Sequence, residues 1–295
     1  MITTFPSFTK LELSHKEEIQ SLTWGFDPYS DFNFTSLFCW NTDNSTEISI
    51  LNGSLVIKMP DYITGKPIYS IIGDKHIDDS LNSLLQISPS LSLVPQVVVD
   101  HIESKDRFII AADRDQFDYI YEINSQSTLA GGKLKGKRNK VNKFTRSFEH
   151  HISLSKLRFN GSDVEKVNKM FNLWANKKQK NCEDTERESK AIARLMDEAG
   201  MFNLTGVLVY INNDLMGFSI NEVVQKDYAI CHFQKALLDF ENVDIFLSNL
   251  VAKELKHFGC KYVNWEQDLG IPGLRESKTS YSYDFFLKKY SVRLR

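Results

Sequence analysis

VDIFLSNLVAKELKHF, residues Val243 to Phe258, is the stretch against which the rest of the chain can be ordered. Its apolar residues recur at three- and four-residue spacing, the mark of a helix, and Gly259 follows directly, where a left-handed glycine ends helices. Before it lie three runs rich in β-branched and aromatic residues, Asn203 to Ile211, Leu215 to Val224 and Tyr228 to Ala236, which read as strands. Asn212-Asn213-Asp214 is the turn between the first two. After it, Tyr262 to Trp265 reads as one more short strand. The order strand, strand, strand, long helix, strand is what the remaining sequence has to accommodate.

Further upstream, a strand at Ile152 to Phe159 leads to a helix at Asp163 to Lys178, whose Val164, Val167, Met170, Phe171 and Trp174 form one apolar face. A polar interruption from Lys177 to Glu186 precedes a second helix at Glu188 to Glu198, ended near Gly200. Downstream, Gly270 to Ser277 reads as a short helix and Phe285 to Leu294 as a closing strand. In the first half, a helical pattern at Leu13 to Trp24 is followed by an aromatic-rich helix ending at Trp40, with Asp31 or Asn33 as its cap. Strands at Glu47 to Leu51 and Ser54 to Met59 are joined by Asn52-Gly53, a hairpin pair. A strand at Ile68 to Ile72, a helix at Asp78 to Gln86, a β-branched run at Val94 to Val99, and strands at Arg107 to Ala111 and Asp118 to Ile123 complete the half.

These elements predict an α+β protein with mixed, mostly antiparallel sheets. Six of the seven prolines precede residue 96, and small polar residues then two glycines mark Ser125 to Gly132 as a boundary. The expected domains are 1–128 and 129–295.

Composition narrows the classes. Apolar residues make up 42% with 20 phenylalanines, enough for a substantial core, and 25% are charged, which argues against disorder. No apolar run approaches the roughly 18 residues of a membrane span, and residues 1–10 carry no signal-peptide core, so the expectation is a cytoplasmic protein that can sit peripherally on a membrane. Cys39, Cys182, Cys231 and Cys260 are scattered without paired spacing, which predicts buried thiols and no metal site. Net charge is −2, yet Lys133, Lys135, Lys137, Arg138, Lys140, Lys143 and Arg146 crowd into 14 positions that hold no acid. Leu134, Val141, Phe144 and Phe148 share helical spacing within that segment, so it reads as an amphipathic helix with a basic face. Its plainer alternative is a solvated helix face.

The second-half order resembles a GNAT-type acyltransferase domain. In that fold the strands flanking the crossover helix run parallel and splay apart, and the acyl donor enters the gap. Here the first of them carries His232 and Lys235, and the second delivers Asn264, Glu266 and Asp268 at its C-terminal end, where open sheets bind ligands. Acyl transfer to an amine needs a base and donors for the oxyanion. Glu266 and Asp268 are the candidates for base or amine anchor, with His232 beside them. The plainer alternatives are surface or helix N-cap carboxylates and a satisfied core histidine. Lys235 is either an exposed edge residue or a partner for phosphate or carboxylate. Coenzyme-A-dependent members carry a glycine-rich loop before the crossover helix to hold pyrophosphate. Here that place reads Gln234 to Val243 with no glycine and two acids, which disfavours acetyl-CoA.

Leu134 to Phe144, His232-x-x-Lys235-Ala236 and the run Asp268-Leu269-Gly270-Ile271-Pro272-Gly273-Leu274-Arg275-x-x-Lys278-x-Ser280-Tyr281 resemble the bacterial proteins related to the C-terminal domain of phosphatidylglycerol lysyltransferase; Ser30 to Trp40 does too. The resemblance spans nearly the whole chain. It departs at Ser282-Tyr283, where relatives carry a proline after the Ser-Tyr pair, and the membrane-spanning flippase portion is absent. It implies two tandem GNAT-like domains, akin to Fem-type peptidyltransferases, with no tightly bound cofactor. The donor it implies is an aminoacyl-tRNA and the acceptor a small amine, peptide or lipid. Lys235, Arg275 and Lys278 are then expected on anionic parts of the substrates. Lys133, Lys135, Lys137, Arg138, Asn139 and Lys143 are expected on phosphate, and Asn264, Ser280 and Tyr281 on substrate. A non-catalytic protein that holds tRNA, nucleotide or a small anion, and a CoA-dependent N-acetyltransferase, are the alternative functions.

Overall fold

The computed structural model describes residues 1–178, 182–225 and 227–295, with side chains at all of these except 182–184. In chain order the elements are β1 (Thr9–Lys10), α1 (Lys16–Thr23), α2 (Phe34–Trp40), β2 (Glu47–Leu51), β3 (Ser54–Pro60), β4 (Pro67–Ile72), α3 (Ile77–Leu85), β5 (Leu91–Pro95), α4 (Gln96–Asp100), β6 (Phe108–Ala112) and β7 (Asp118–Glu122). There follow α5 (Ile123–Thr128), α6 (Lys135–Phe148), β8 (Ile152–Lys156), α7 (Gly161–Lys178), α8 (Cys182–Asp197), β9 (Leu204–Thr205), β10 (Val207–Ile211), β11 (Asp214–Val223) and β12 (Tyr228–Ala236). The last are α9 (Val243–His257), β13 (Tyr262–Asn264), α10 (Pro272–Thr279), β14 (Phe285–Leu287) and β15 (Lys289–Leu294).

The chain forms two compact units that are not consecutive stretches. The first takes Met1–Tyr119, Gln267–Arg275 and Phe286–Arg295; the second takes Ile120–Glu266 and Glu276–Phe285. The division expected at 128/129 therefore lies within the second unit, and the C-terminal third supplies segments to both.

In the first unit β1-β2-β3-β4 form one antiparallel sheet, and β15 lies between β5 and β6 in another. Asn52 and Gly53, both at positive φ, make the two-residue turn that the right-handed twist of β2 and β3 favours. Asn33 caps α2 by accepting the Ser36 amide at 2.9 Å. The Val94 to Val99 run, expected as a strand, divides. β5 stops at Pro95, whose ring removes the donor a continuing ladder needs, and Val97 to Val99 fall in α4. Val56, Ile71, Leu81, Leu91, Val98 and Val292 meet in the core of this unit.

In the second unit β8, β10, β11 and β12 pair antiparallel in that order, β12 pairs parallel with β13, and β9 pairs with β11. The crossover between the parallel strands is α9. Nine of its residues are buried, among them Ile245, Leu247, Val251 and Leu255. Its end is a Schellman motif: Gly259 at φ +80 donates to the Lys256 carbonyl at 3.0 Å and Cys260 donates to that of Leu255 at 3.1 Å.

Four further expectations change. Ser125 to Gly132 is not a linker throughout, because α5 occupies Ile123–Thr128 and Asn249 Nδ2 satisfies its carbonyls at Gln126 and Ser127. The second helix begins already at Cys182, inside the expected polar interruption, part of which (179–181) lies outside the described residues. Gly200 is not a left-handed cap; it lies within a 3-10 turn, Ala199–Met201. The expected closing strand is two strands, β14 and β15, broken at Lys288. Cys39, Cys231 and Cys260 are buried free thiols; the Cys182 side chain lies outside the described residues.

Candidate functional site

The pairing of β12 with β13 is short. Tyr228, Ala229 and Ile230 face Tyr262, Val263 and Asn264, and beyond Ile230 β12 continues to Ala236 with β11 its one strand partner among the described residues. At that point β12 also bulges: Ile220 of β11 faces Phe233 while its neighbour Asn221 faces Cys231, so His232 is the extra residue. A bulge bends its strand and re-aims a side chain. The His232 ring, with no exposed surface, lies between two carboxylates, its Nε2 3.3 Å from Glu222 Oε2 and its Nδ1 3.6 Å from Glu266 Oε1. Burial alone pushes an imidazole pKa down, but Glu222 and Glu266 outweigh it and hold His232 up at about 9. At neutral pH His232 is thus an imidazolium and not a free base.

Glu266 itself sits at φ +53, the left-handed region that a β-carbon disfavours. Its amide donates to Asn264 Oδ1 at 2.6 Å. Lys278 Nζ donates to the Glu266 carbonyl at 3.0 Å and also to the Trp265 carbonyl. Three buried polar atoms here have no hydrogen-bond partner among the described residues: Glu266 Oε1, Trp265 Nε1 and Gln234 Oε1. Gln234 Nε2 donates to Ser248 Oγ at 2.8 Å, Tyr281 Oη lies 3.3 Å from the same hydroxyl, and the Tyr281 ring stands edge-on to Trp265 at 5.1 Å. One donor and two acceptors left unmatched beside a strand gap suit a polar ligand, since burying them unmet costs about 1–3 kcal/mol each.

Sequence reasoning named His232, Glu266, Asn264, Lys278 and Tyr281, and the fold brings them together. It passed over Glu222, Gln234, Trp265 and Ser248. Glu222 was detectable as the lone acid between Leu215 and Val224, whereas Ser248 is indistinguishable from other small residues of α9.

The cations fall into distinct settings. Lys235 pairs with Glu188 at 2.6 Å and lies 4.5 Å from the Trp174 ring centre, so it is not the exposed edge lysine of the plainer alternative. On α6 the anchored stripe is real: Val141 and Phe144 are buried, and the Phe144 ring lies 4.7 Å from that of Phe246. Lys137 donates to Ser280 Oγ at 2.8 Å and lies 3.6 Å from the Tyr281 ring centre; burial pushes its ammonium down to about 8. Arg138 is spent on the Leu129 carbonyl at 2.6 Å, and Lys143 pairs with Glu241 at 2.7 Å on the surface. Lys133, Lys135 and Asn139 are exposed.

Asp268 and Arg275 belong to the first unit and are separated from this cluster in the unit division. Asp268 is completely buried. It accepts from Arg275 at 2.9 and 2.7 Å, Tyr119 Oη at 2.6 Å, Arg114 at 3.2 Å and the Gly270 amide at 2.9 Å. Despite burial, which would push its pKa up, Arg275, Tyr119 and Gly270 hold the carboxyl down at about 2. Such a carboxylate has no affinity for a proton at neutral pH, so the geometry makes Asp268 a structural anchor. Arg275, shared between Asp268 and Asp115 (2.6 Å), is occupied by acids. A second buried group in this unit went unread in the sequence: Lys289, fully buried, lies between Asp31 and Asp118, 2.7 Å from the latter and 3.1 Å from Ser30 Oγ.

Comparison with known proteins agrees with this architecture. A conserved protein of unknown function from Bacteroides thetaiotaomicron matches with a TM-score of 0.84 at 23% identity, covering 100% of both chains. The C-terminal domain of a lysylphosphatidylglycerol synthetase from Agrobacterium fabrum matches with a TM-score of 0.64 at 11% identity, covering 96% of this chain and 92% of that one. The L-PGS structure from Bacillus licheniformis gives 0.60 at 11% identity over 100% and 94%. At these identities the likeness shows the fold alone. An uncharacterised protein of Mycoplasmoides gallisepticum is 24% identical over 185 residues, 60% of this chain and 56% of that protein, so the chain spans little more than half the length of this curated relative. Among the described residues no helix is long and apolar enough to cross a membrane. The sequence matches the family described as phosphatidylglycerol lysyltransferase, C-terminal, over residues 26–293, and the chain belongs to that family.

Proposed function

We propose that the chain is an aminoacyltransferase that moves an activated aminoacyl group from a charged tRNA to an amine or hydroxyl acceptor, with the gap between β12 and β13 as the site of transfer. The observation that carries this is Glu266. Its carboxylate lies just past the end of β13, where that strand parts from β12, with Oε1 3.6 Å from the imidazolium Nδ1 of His232 and accepting no hydrogen bond among the described residues. In the transfer, the acceptor gives its proton to Glu266 and attacks the ester carbonyl. Main-chain N–H groups of β12 beyond Ile230 hold the developing oxyanion; its collapse breaks the ester C–O bond, and Glu266 returns the proton it took to the departing tRNA hydroxyl oxygen. The basic face of α6 supplies salt-dependent attraction for tRNA phosphates, Lys137 being nearest the split through Ser280 and Tyr281.

The donor is not acetyl-CoA in this reading. Asp239 pairs with Lys177 and Glu241 with Lys143 in the turn before α9, so carboxylates stand where a pyrophosphate would seek amides and positive charge.

The test is transfer of radiolabelled amino acid from a mixture of charged tRNAs, with phosphatidylglycerol vesicles, a soluble peptide amine and acetyl-CoA as separate arms. Glu266→Gln is expected to lower transfer by about 10²–10⁴-fold. Wild-type turnover in that variant removes Glu266 from the chemistry, and labelling from acetyl-CoA alone overturns the donor. A Lys137/Arg138/Lys143 charge reversal that binds tRNA as tightly as wild type at low salt would remove α6 from the reading.

A further inference from the structure

We propose that Lys278 and Asn264 are positioning residues that hold Glu266 in its left-handed conformation and so aim its carboxylate at His232; Lys278 is not a ligand for a substrate anion. This rests on the reading of Glu266 as the residue that meets the acceptor. Where β13 parts from β12, the carbonyls of Trp265 and Glu266 lose the strand partner that a continuing parallel ladder would give them. Lys278, projecting from α10, takes both carbonyls with one ammonium, and Asn264 Oδ1 takes the Glu266 amide. Three of the four main-chain polar groups flanking the Glu266 Cα are therefore fixed by two side chains. That matters because a non-glycine residue at φ +53 costs about 1–2 kcal/mol and persists only where its surroundings over-determine it. Release of the clamp lets the backbone return to an extended conformation, which turns the side chain away from its present direction.

The position of Glu266 has a reporter independent of transfer: the imidazole it faces. His232 touches Glu222 on one side and Glu266 on the other, with the Cys231 thiol adjacent in sequence. Lys278→Met makes two opposite predictions for that ring. If Lys278 acts only as a nearby charge, removing a cation eases protonation and the His232 midpoint rises. If Lys278 positions Glu266, the ring loses a carboxylate neighbour and the midpoint falls.

The experiment is a histidine NMR pH titration of the full chain, with the His232 resonance identified by its loss in His232→Gln, alongside transfer kinetics. In Lys278→Met and in Asn264→Ala the His232 midpoint is expected to fall by about one pH unit or more. The rate of transfer should fall about 10²-fold with little change in KM, as for a misaimed group. Lys278→Arg, which still reaches two carbonyls, should restore much of both. An unchanged or raised His232 midpoint in folded Lys278→Met protein overturns the proposal, and a large rise in KM alone returns Lys278 to anion binding. If wild type shows no transfer at all while the midpoint falls as expected, the positioning stands and the functional reading of the site fails. If Lys278→Met does not fold, Asn264→Ala and Lys278→Arg carry the same titration test.

Discussion

Replacing Asp268 by asparagine separates a structural carboxylate from a catalytic one. Asp268 accepts from four residues, and its two arginine partners, Arg114 and Arg275, keep 36% and 38% of their side-chain surface exposed. The folded pKa of about 2 against an ordinary 3.8 corresponds to about 2 kcal/mol of stabilisation before screening, and to about 1–2 once the arginines' exposure is allowed for. Asparagine also turns an N–H₂ toward guanidinium and amide N–H groups that can only donate, adding the cost of a mismatched buried hydrogen bond, about 1–3 kcal/mol. A loss of about 2–4 kcal/mol is expected, read as a lower urea midpoint at unchanged slope and a Tm lowered by about 5–10 °C. Because the folded pKa is depressed, this stabilisation is complete above about pH 4 and fades as pH falls toward 2. The gap between wild type and variant must therefore narrow on acidification. A variant with wild-type stability and no transfer would refute the reasoning and return Asp268 to the chemistry.

Two other predictions concern the same unit. Lys289→Met strands Asp31 and Asp118 in the interior without a counter-charge and should cost about 3–5 kcal/mol; an unchanged urea midpoint would show the triad to be dispensable. Gly270→Ala places a β-carbon 2.6 Å from Asp115 Oδ2 at φ +70 and should destabilise by about 1–2 kcal/mol, whereas Gly273→Ala, with open space around it, should stay within about 0.5 kcal/mol of wild type or gain slightly; equal effects would discount the contact.

Much of the architecture was legible because it is written in local chemistry. The asparagine and glycine turns at Asn52-Gly53 and Asn212-Asn213, the periodicity and glycine stop of α9, and the β-branched and aromatic runs of β10 to β12 each depend on residues close in sequence, and each appears where those residues place it. Propensity misleads where a single residue within a run breaks the ladder, or where a neighbour far along the chain intervenes. Val97 to Val99 have strand propensity but follow a proline that cannot continue the ladder, and the small polar residues of α5 are helical because Asn249, far along the chain, receives their carbonyls.

The sequence alone determined the family, the split between β12 and β13, and the set from which the site is drawn: His232, Asn264, Glu266 and Lys278. Tertiary structure decided how near neighbours divide their roles. Glu266 and Asp268, two residues apart and chemically alike, part because the chain passes between units at Gln267: one carboxylate is left with an unmatched oxygen, the other is sealed among arginines. It also decided that Lys289 is a buried counter-ion to Asp118, 171 residues away. Periodicity records which face of an element is buried; which charge meets which is fixed only when topology brings distant segments together.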